Sequence, residues 1–425
     1  MAQMISKWFS STFESLYDQQ YRTLWIGTTI AFLAFMMSMI VQSIVAFDLT
    51  GKNGAVGVVA LGMGIATIAI APFGGVIADR VSKRKLVLIG QTIIGLDFLV
   101  VGILIVTGTI TILALAASTF VMGAVFSFIG PARQAWIGEI VEGPELGNAI
   151  AMQQVGMTLT RVLGPLLVAG LVAVSFIGTG GTYLAMGAMF AFVIFTLTLL
   201  KPTKSRAKEP GKSIFGDFKL GFIHIASRPR LALLVCSFLG IVMAGFSYQV
   251  VLPGLLENEL GHEAKDMGLL FFAGALSGLV VTLLVASKAS GPHAWKMMII
   301  GGFVLGVSLA FTALAATFWQ AMLTMFVAGA GSSVFQLLNN SLIMHHSDRD
   351  YYGRVMSLTM MAWGLNGLVG FPFGLLADAV GERETIFLMA VLVIAVTVAT
   401  LLVHVSLNRR QGSQLAALPS LAGGK

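Results

Sequence analysis

Two charged residues lie deep inside apolar sequence and are the first candidates for chemistry: Asp97 and Arg161. At 1.5 Å of rise per helical residue, Asp97 sits about 18 Å beyond Lys85 and Arg161 about 24 Å beyond Glu145. A charge at that depth in hydrocarbon costs at least about 2.5–3.5 kcal/mol, so each must face protein or water. Asp97 is suited to carry a proton, and Arg161 to regulate it or anchor an anionic substrate; a static ion pair is the structural alternative. A second cluster, Gly75-Val-Ile-Ala-Asp79-Arg80-Val-Ser-Lys83-Arg84-Lys85, places one acid ahead of four bases. His345 and Asp350 have the H-x-x-x-x-D spacing of an acid–base pair. They fall in a short polar loop with no H-E-x-x-H or G-x-S-x-G motif nearby, so no enzyme is expected. Pro-Gly-Lys-Ser at 210–213 resembles the end of a phosphate loop, but Arg206 stands where its first glycine must be. Any pump built on this chain is expected to draw on an ion gradient.

The elements that hold these residues follow from composition. Only 11% of the 425 residues are charged, and 57% are hydrophobic; soluble domains carry roughly 25% charge. Twelve stretches are apolar over the roughly 20 residues that a membrane helix needs. They are 24–47, 55–78, 86–107, 110–130, 146–174, 183–200, 231–252, 267–287, 297–316, 318–338, 355–377 and 385–404. With an even number of crossings, 22 of the 26 basic residues fall on the side of the termini, three (Lys52, Lys265, Arg383) on the other, and Arg161 inside a span. Basic residues gather on cytoplasmic loops, so both termini are expected in the cytoplasm of a multi-pass protein of the cell (inner) membrane. The net charge of +7 is thereby explained without nucleic acid. The lone Cys236 supports neither a disulfide nor a thiolate metal site, and no cofactor or metal is expected.

The polar segment 201–230 divides the apolar sequence nearly in half. The expected organisation is a tail (1–20), a six-helix bundle (21–200), a linker (201–230), a second six-helix bundle (231–404) and a tail (405–425). Within the linker, Ile214 to Ile225 has the pattern of an amphipathic helix on the membrane surface. The halves are weakly repeated: Phe120-Val-Met-Gly-Ala-Val-Phe-Ser aligns with Phe326-Val-Ala-Gly-Ala-Gly-Ser-Ser at an offset of 206. Parallel six-span repeats are the trace of a transporter made of two bundles.

With these spans, the Gly75–Lys85 spacing resembles the loop signature of the major facilitator superfamily. Phe47-Asp-Leu-Thr-Gly, Gly130-Pro-Ala-Arg-Gln-Ala, Arg161-Val-Leu-Gly-Pro, Asn339-Asn-Ser-Leu and Gly353-Arg-Val-Met-Ser-Leu are similar to its exporter branch, which includes the enterobactin exporter and the macrolide efflux proteins. The resemblance runs from Tyr21 to His404. It implies an all-α membrane fold of two pseudo-symmetric six-helix bundles and a cytoplasmic gate of Gly75, Asp79, Arg80, Lys83, Arg84 and Arg133. There Asp79 meets the start of the eleventh span near Gly353–Met356, held by Arg80, Arg84 and Arg133. Gly164 and Pro165 match part of an exporter motif as a hinge or packing site, without the paired glycines usual after the proline.

The same resemblance assigns the cavity to the first, fourth, seventh and tenth spans, with help from the fifth and eleventh. It implies a substrate cavity of Gln42, Gln153, Gln154, Tyr248, Gln249, Gln336, Asn339, Trp363 and Asn366, neutral amides and rings suited to an amphipathic organic molecule. For any single amide, hydrogen bonding between helices is an equal reading. The expectation is a monomeric secondary transporter that exports a small amphipathic compound against protons by alternating access. Uptake is the runner-up, and a non-transporting receptor the distant alternative.

Overall fold

The structure, a computed structural model, describes residues 14–141, 145–201, 214–285, 291, 293–348 and 351–416. Within these, the side chains at 71–72, 74–80, 214–219, 353, 357 and 410–416 lie outside the description. The first six spans are α1 (Gln19–Thr50), α2 (Asn53–Arg80), α3 (Lys83–Val106), α4 (Ile112–Ile140), α5 (Leu146–Ala173) and α6 (Gly178–Thr198). The linker contributes α7 (Ile214–Ala226), a helix over the segment expected to be amphipathic. The second half contains α8 (Pro229–Gly245), α9 (Tyr248–Gly254), α10 (Met267–Val285), α11 (Ala294–Ala313), α12 (Phe318–His346), α13 (Tyr352–Val380) and α14 (Glu382–Ala416). Among the described residues, twelve helical stretches are long and apolar enough to cross a membrane, α8 and α9 counting as one with the turn that follows.

Several helices overrun their apolar cores. The fourth span, read as 110–130, continues through Gly-Pro-Ala-Arg-Gln-Ala-Trp to Ile140. A helix that satisfies its own backbone has no reason to stop where the hydrocarbon ends. The twelfth likewise runs past 404 to Ala416. The narrow gap around Thr317 is a true break, because Thr317 is an N-cap accepting from the Gln320 amide at 3.3 Å. Its partner at an offset of 206 is Thr111, which caps α4 through the Ala114 amide at 3.2 Å. Both capped helices are 29 residues long, so the repeat extends to their start and stop signals.

In the first bundle α1 packs on α5 and α6, α2 on α4, and α3 on α6. In the second, α10 and α11 pack on α12, while α14 packs on α8 and α11. The bundles meet along two seams, α2 with α13 and α5 with α10. The first seam is made by glycine. A Cβ on Gly64 would lie 2.7 Å from the Gly364 carbonyl oxygen, and one on Gly367 2.7 Å from the Ala60 carbonyl oxygen. Small residues let membrane helices approach this closely. We call the side holding the termini the terminal face and the opposite side the far face.

Candidate functional site

The seventh span, expected as one continuous helix over 231–252, is broken. α8 ends at Gly245, α9 begins at Tyr248, and a π-turn follows at Leu255–Glu259. Ser247 turns its hydroxyl back onto the Met243 carbonyl at 2.6 Å. Pro253, inside α9, lacks the amide hydrogen that a helix would direct at residue 249. Asn366 on α13 pins the joint by donating to the Val242 carbonyl at 2.9 Å and to the Ser247 hydroxyl at 3.2 Å. Trp363, one turn earlier, meets Phe246 edge-on at 5.1 Å and Phe238 at 6.5 Å between ring centroids. Tyr248 stacks on Phe271 at 6.3 Å. Tyr248, Gln249, Trp363 and Asn366 therefore gather around a discontinuous helix, the kind of irregular backbone that membrane proteins place where it is enclosed by protein or lines a cavity.

The other amides are placed differently. Asn339 is fully buried and donates to the Leu234 carbonyl at 3.1 Å and the Ser237 hydroxyl at 3.2 Å, fastening α12 to α8. Gln42 and Gln153 are buried within the first bundle, while Gln336 is half-buried and Gln154 exposed. Gly164 lets α5 approach α1, since a Cβ there would sit 2.9 Å from that of Met36. The Pro165 carbonyl faces Gly268 of α10 across the second seam.

Of the embedded charges, Asp97 is half-buried and accepts a 2.6 Å hydrogen bond from Ser118 of α4. Arg161 has no hydrogen bond or salt bridge among the described residues, so the static Asp97–Arg161 pair considered from sequence is not formed. Val155, Leu159, Leu163 and Leu166 make the exposed apolar stripe of α5. At 100° per residue Arg161 falls on the opposite side, between the strip facing α1 and the strip facing α10.

The expected gate is only partly open to description, because the side chains of Gly75, Asp79 and Arg80 lie outside the described residues. Lys83 forms a 2.5 Å salt bridge with Glu139, tying α3 to α4. Arg84 donates to the carbonyls of Leu197 (3.2 Å) and Thr198 (2.7 Å), where α6 ends and basic groups are favoured. Arg133 is 3% exposed, with its guanidinium over the Phe32 ring, 5.1 Å from the centroid. Beside the terminal face, His224 of α7 stacks on Tyr351 at 4.0 Å, and Arg228 bonds Asp348 at 2.5 Å. Burial lowers the His224 pKa, nearby Arg228 adds to that, and Asp348 opposes it.

The far face holds a constellation that sequence reading missed. Asp378, near the end of α13, reaches the first residues of α2: one carboxylate oxygen accepts from the Asn53 backbone amide at 2.7 Å, the other from that of Gly54 at 2.8 Å. Glu382 accepts from the side chains of Asn53 (2.9 Å) and Asn258 (2.6 Å). The bonds to Asn53 and Gly54 cross between the bundles, while that to Asn258 stays within the second. A signal existed: Gly374-Leu-Leu-Ala-Asp378 repeats the spacing of Gly75-Val-Ile-Ala-Asp79.

With this geometry in hand, known proteins give a consistent picture. The sequence model of the Major Facilitator Superfamily matches residues 24–371. The staphyloferrin A transporter of Staphylococcus aureus is 25% identical over 386 residues, covering 86% of this chain and 92% of its own. Macrolide efflux protein A of Streptococcus pyogenes is 19% identical over 385 residues, covering 89% and 94%. Among solved structures, a bacterial homologue of the human lysosomal transporter Spinster superposes with a TM-score of 0.73 at 14% identity, covering 91% of this chain and 97% of that one.

Proposed function

Because this chain belongs to the Major Facilitator Superfamily, whose members are transporters, we propose that it is a proton-driven exporter of a small amphipathic organic compound. The monomer works by alternating access in the cell membrane, with the basic terminal face in the cytoplasm. The observation that carries the mechanism is the closure of the far face by Asp378 and Glu382. A helix N-terminus carries about half a positive charge and unsatisfied amides, so an acid from the other bundle is a natural clasp. A contact made in one state and lost in the other biases the balance between them.

The family resemblance assigns the counterpart role at the cytoplasmic face to Asp79, whose side chain lies outside the described residues. The broken seventh span supplies a joint beside the cavity, with Tyr248, Gln249, Trp363 and Asn366 around it. Relatives described as multidrug resistance and macrolide efflux proteins support the export direction. Among the described residues, Asp97 is the one acid more than two helical turns from the end of a span, which makes it the candidate proton carrier.

The test is accumulation of rhodamine 6G and carboxyfluorescein in inside-out vesicles, with and without an acidic lumen. Export predicts uptake into these vesicles that rises with the gradient, and gradient-independent equilibration would refute proton drive. Asp97→Asn should leave exchange but abolish its dependence on the gradient; an unchanged dependence removes Asp97 from the coupling scheme.

A further inference from the structure

The first bundle contains two guanidinium groups for which the described protein offers no acid: Arg133, in the terminal-side end of α4 and turned inward onto Phe32, and Arg161, within the span of α5. Arg133 is nearly enclosed, its Nε has no hydrogen-bond partner, and its contact is the face of Phe32. A ring face offsets part of the charge but accepts none of the five N–H donors that the group presents. Arg161 is exposed, on the side of α5 opposite its apolar stripe, and likewise has no salt bridge or hydrogen bond among the described residues.

The two groups are also at the same depth. Gly156 packs on Thr29 and Gly164 on Met36, so Arg161 is level with residue 33 of α1. Arg133 reaches Phe32, one residue away on that helix. Phe32 and Phe126 stand beside them with ring centroids 6.1 Å apart, both half-buried and so bordering open space. The deep acid Asp97 is engaged by Ser118 and bonds to neither arginine.

A buried cation such as Arg133 is normally paired, and an Arg within a span such as Arg161 must face protein or water, so two without an acid mark a place where an anion completes the site. Guanidinium presents paired donors that match a carboxylate, while rings at the same level suit an apolar or aromatic body. We infer that Arg133, Arg161, Phe32 and Phe126 form an anion-and-ring subsite of the transport cavity, and that the cargo is an amphipathic organic anion. This rests on the transporter reading above and narrows its substrate class.

The experiment uses the full chain in phosphatidylcholine nanodiscs, which exclude anionic lipid, and measures binding of carboxyfluorescein (anionic) and rhodamine 6G (cationic) by fluorescence anisotropy. Saturable carboxyfluorescein binding is expected. Arg161→Gln, on an accessible surface, should weaken it about tenfold or more, the scale of one lost charged hydrogen bond, and Arg133→Gln similarly. Arg161→Lys, a point charge without the paired donors, should fall between. Rhodamine 6G should be indifferent to these changes. If adding phosphatidylglycerol abolishes the carboxyfluorescein signal in wild type alone, the site takes a lipid headgroup and the cargo assignment is overturned. The proposal is also overturned if carboxyfluorescein does not bind or binds equally in both Gln variants, or if rhodamine 6G shows the arginine dependence instead. Arginine-dependent binding with no uphill flux in vesicles would sink the transporter reading and leave the subsite; normal carboxyfluorescein flux in both Gln variants would do the reverse.

Discussion

Replacing Asp378 by Ala tests the far-face clasp most directly. The carboxylate accepts two backbone amides at the start of α2 and the Asn53 side chain at 3.3 Å, all from the opposite bundle. Removing a side chain that caps a helix N-terminus costs about 0.5–2 kcal/mol, and a carboxylate at that end gains about 0.3–1 kcal/mol, up to about 2. Because Asp378 is itself exposed, about 1–2 kcal/mol is the appropriate scale, a factor of about 5–30 in the ratio of far-open to far-closed molecules. Asp378→Asn keeps one accepting oxygen and should shift the ratio by about half as much in free energy. Leu49 and Val380 are exposed near the far face on opposite bundles, so spin labels on Leu49→Cys and Val380→Cys, in a Cys236→Ser background, report the gap. The expected result is a larger long-distance population in Asp378→Ala than in the parent, with Asp378→Asn between. A distance distribution identical in all three would refute the clasp.

Three further outcomes follow from particular contacts. Gly64→Val should abolish transport while membrane insertion persists, since even a Cβ would meet the Gly364 carbonyl oxygen at 2.7 Å; wild-type flux would show that the seam yields. Asn366→Leu leaves the Ser247 joint without its pin and should lower stability by about 1–3 kcal/mol, read as a fall in Tm in detergent; an unchanged Tm counts against it. His224 has a lowered pKa, so the undocked linker takes up a proton first as pH falls. Docking of α7 is then fully stable above the ordinary histidine pKa of about 6.5 and weakens as pH drops through it towards the lower folded value. The protection factor at residues 220–226, corrected for the intrinsic slowing of exchange with acid, should fall over that interval, and a flat protection profile would exclude His224 as the cause.

The spans were legible because hydrocarbon demands long apolar helices and basic loops reveal their alternation. The repeat was legible through Phe120–Ser127 and its copy, and the Thr111 and Thr317 caps extend it to helix ends. The break at Ser247 was hidden, because glycine and proline such as Gly245 and Pro253 are common inside membrane helices and the pin is Asn366, over a hundred residues away. Asn339 illustrates the opposite limit: an amide in a helix assigned to the cavity is equally suited to fastening a neighbouring carbonyl, and only packing decides. Asp378 was passed over because an acid at a span end reads as loop punctuation until its partner on the other bundle is known.

The glycine seam between α2 and α13 sets the leverage of the molecule. Gly64 lies eleven residues from the far end of α2, about 16 Å down and close to the bilayer midplane. Backbones touching there act as a fulcrum with arms of similar length towards each surface. On the rocking motion proposed above, a few ångströms gained at one mouth are surrendered at the other, and the seam itself then works against a passage open at both ends at once.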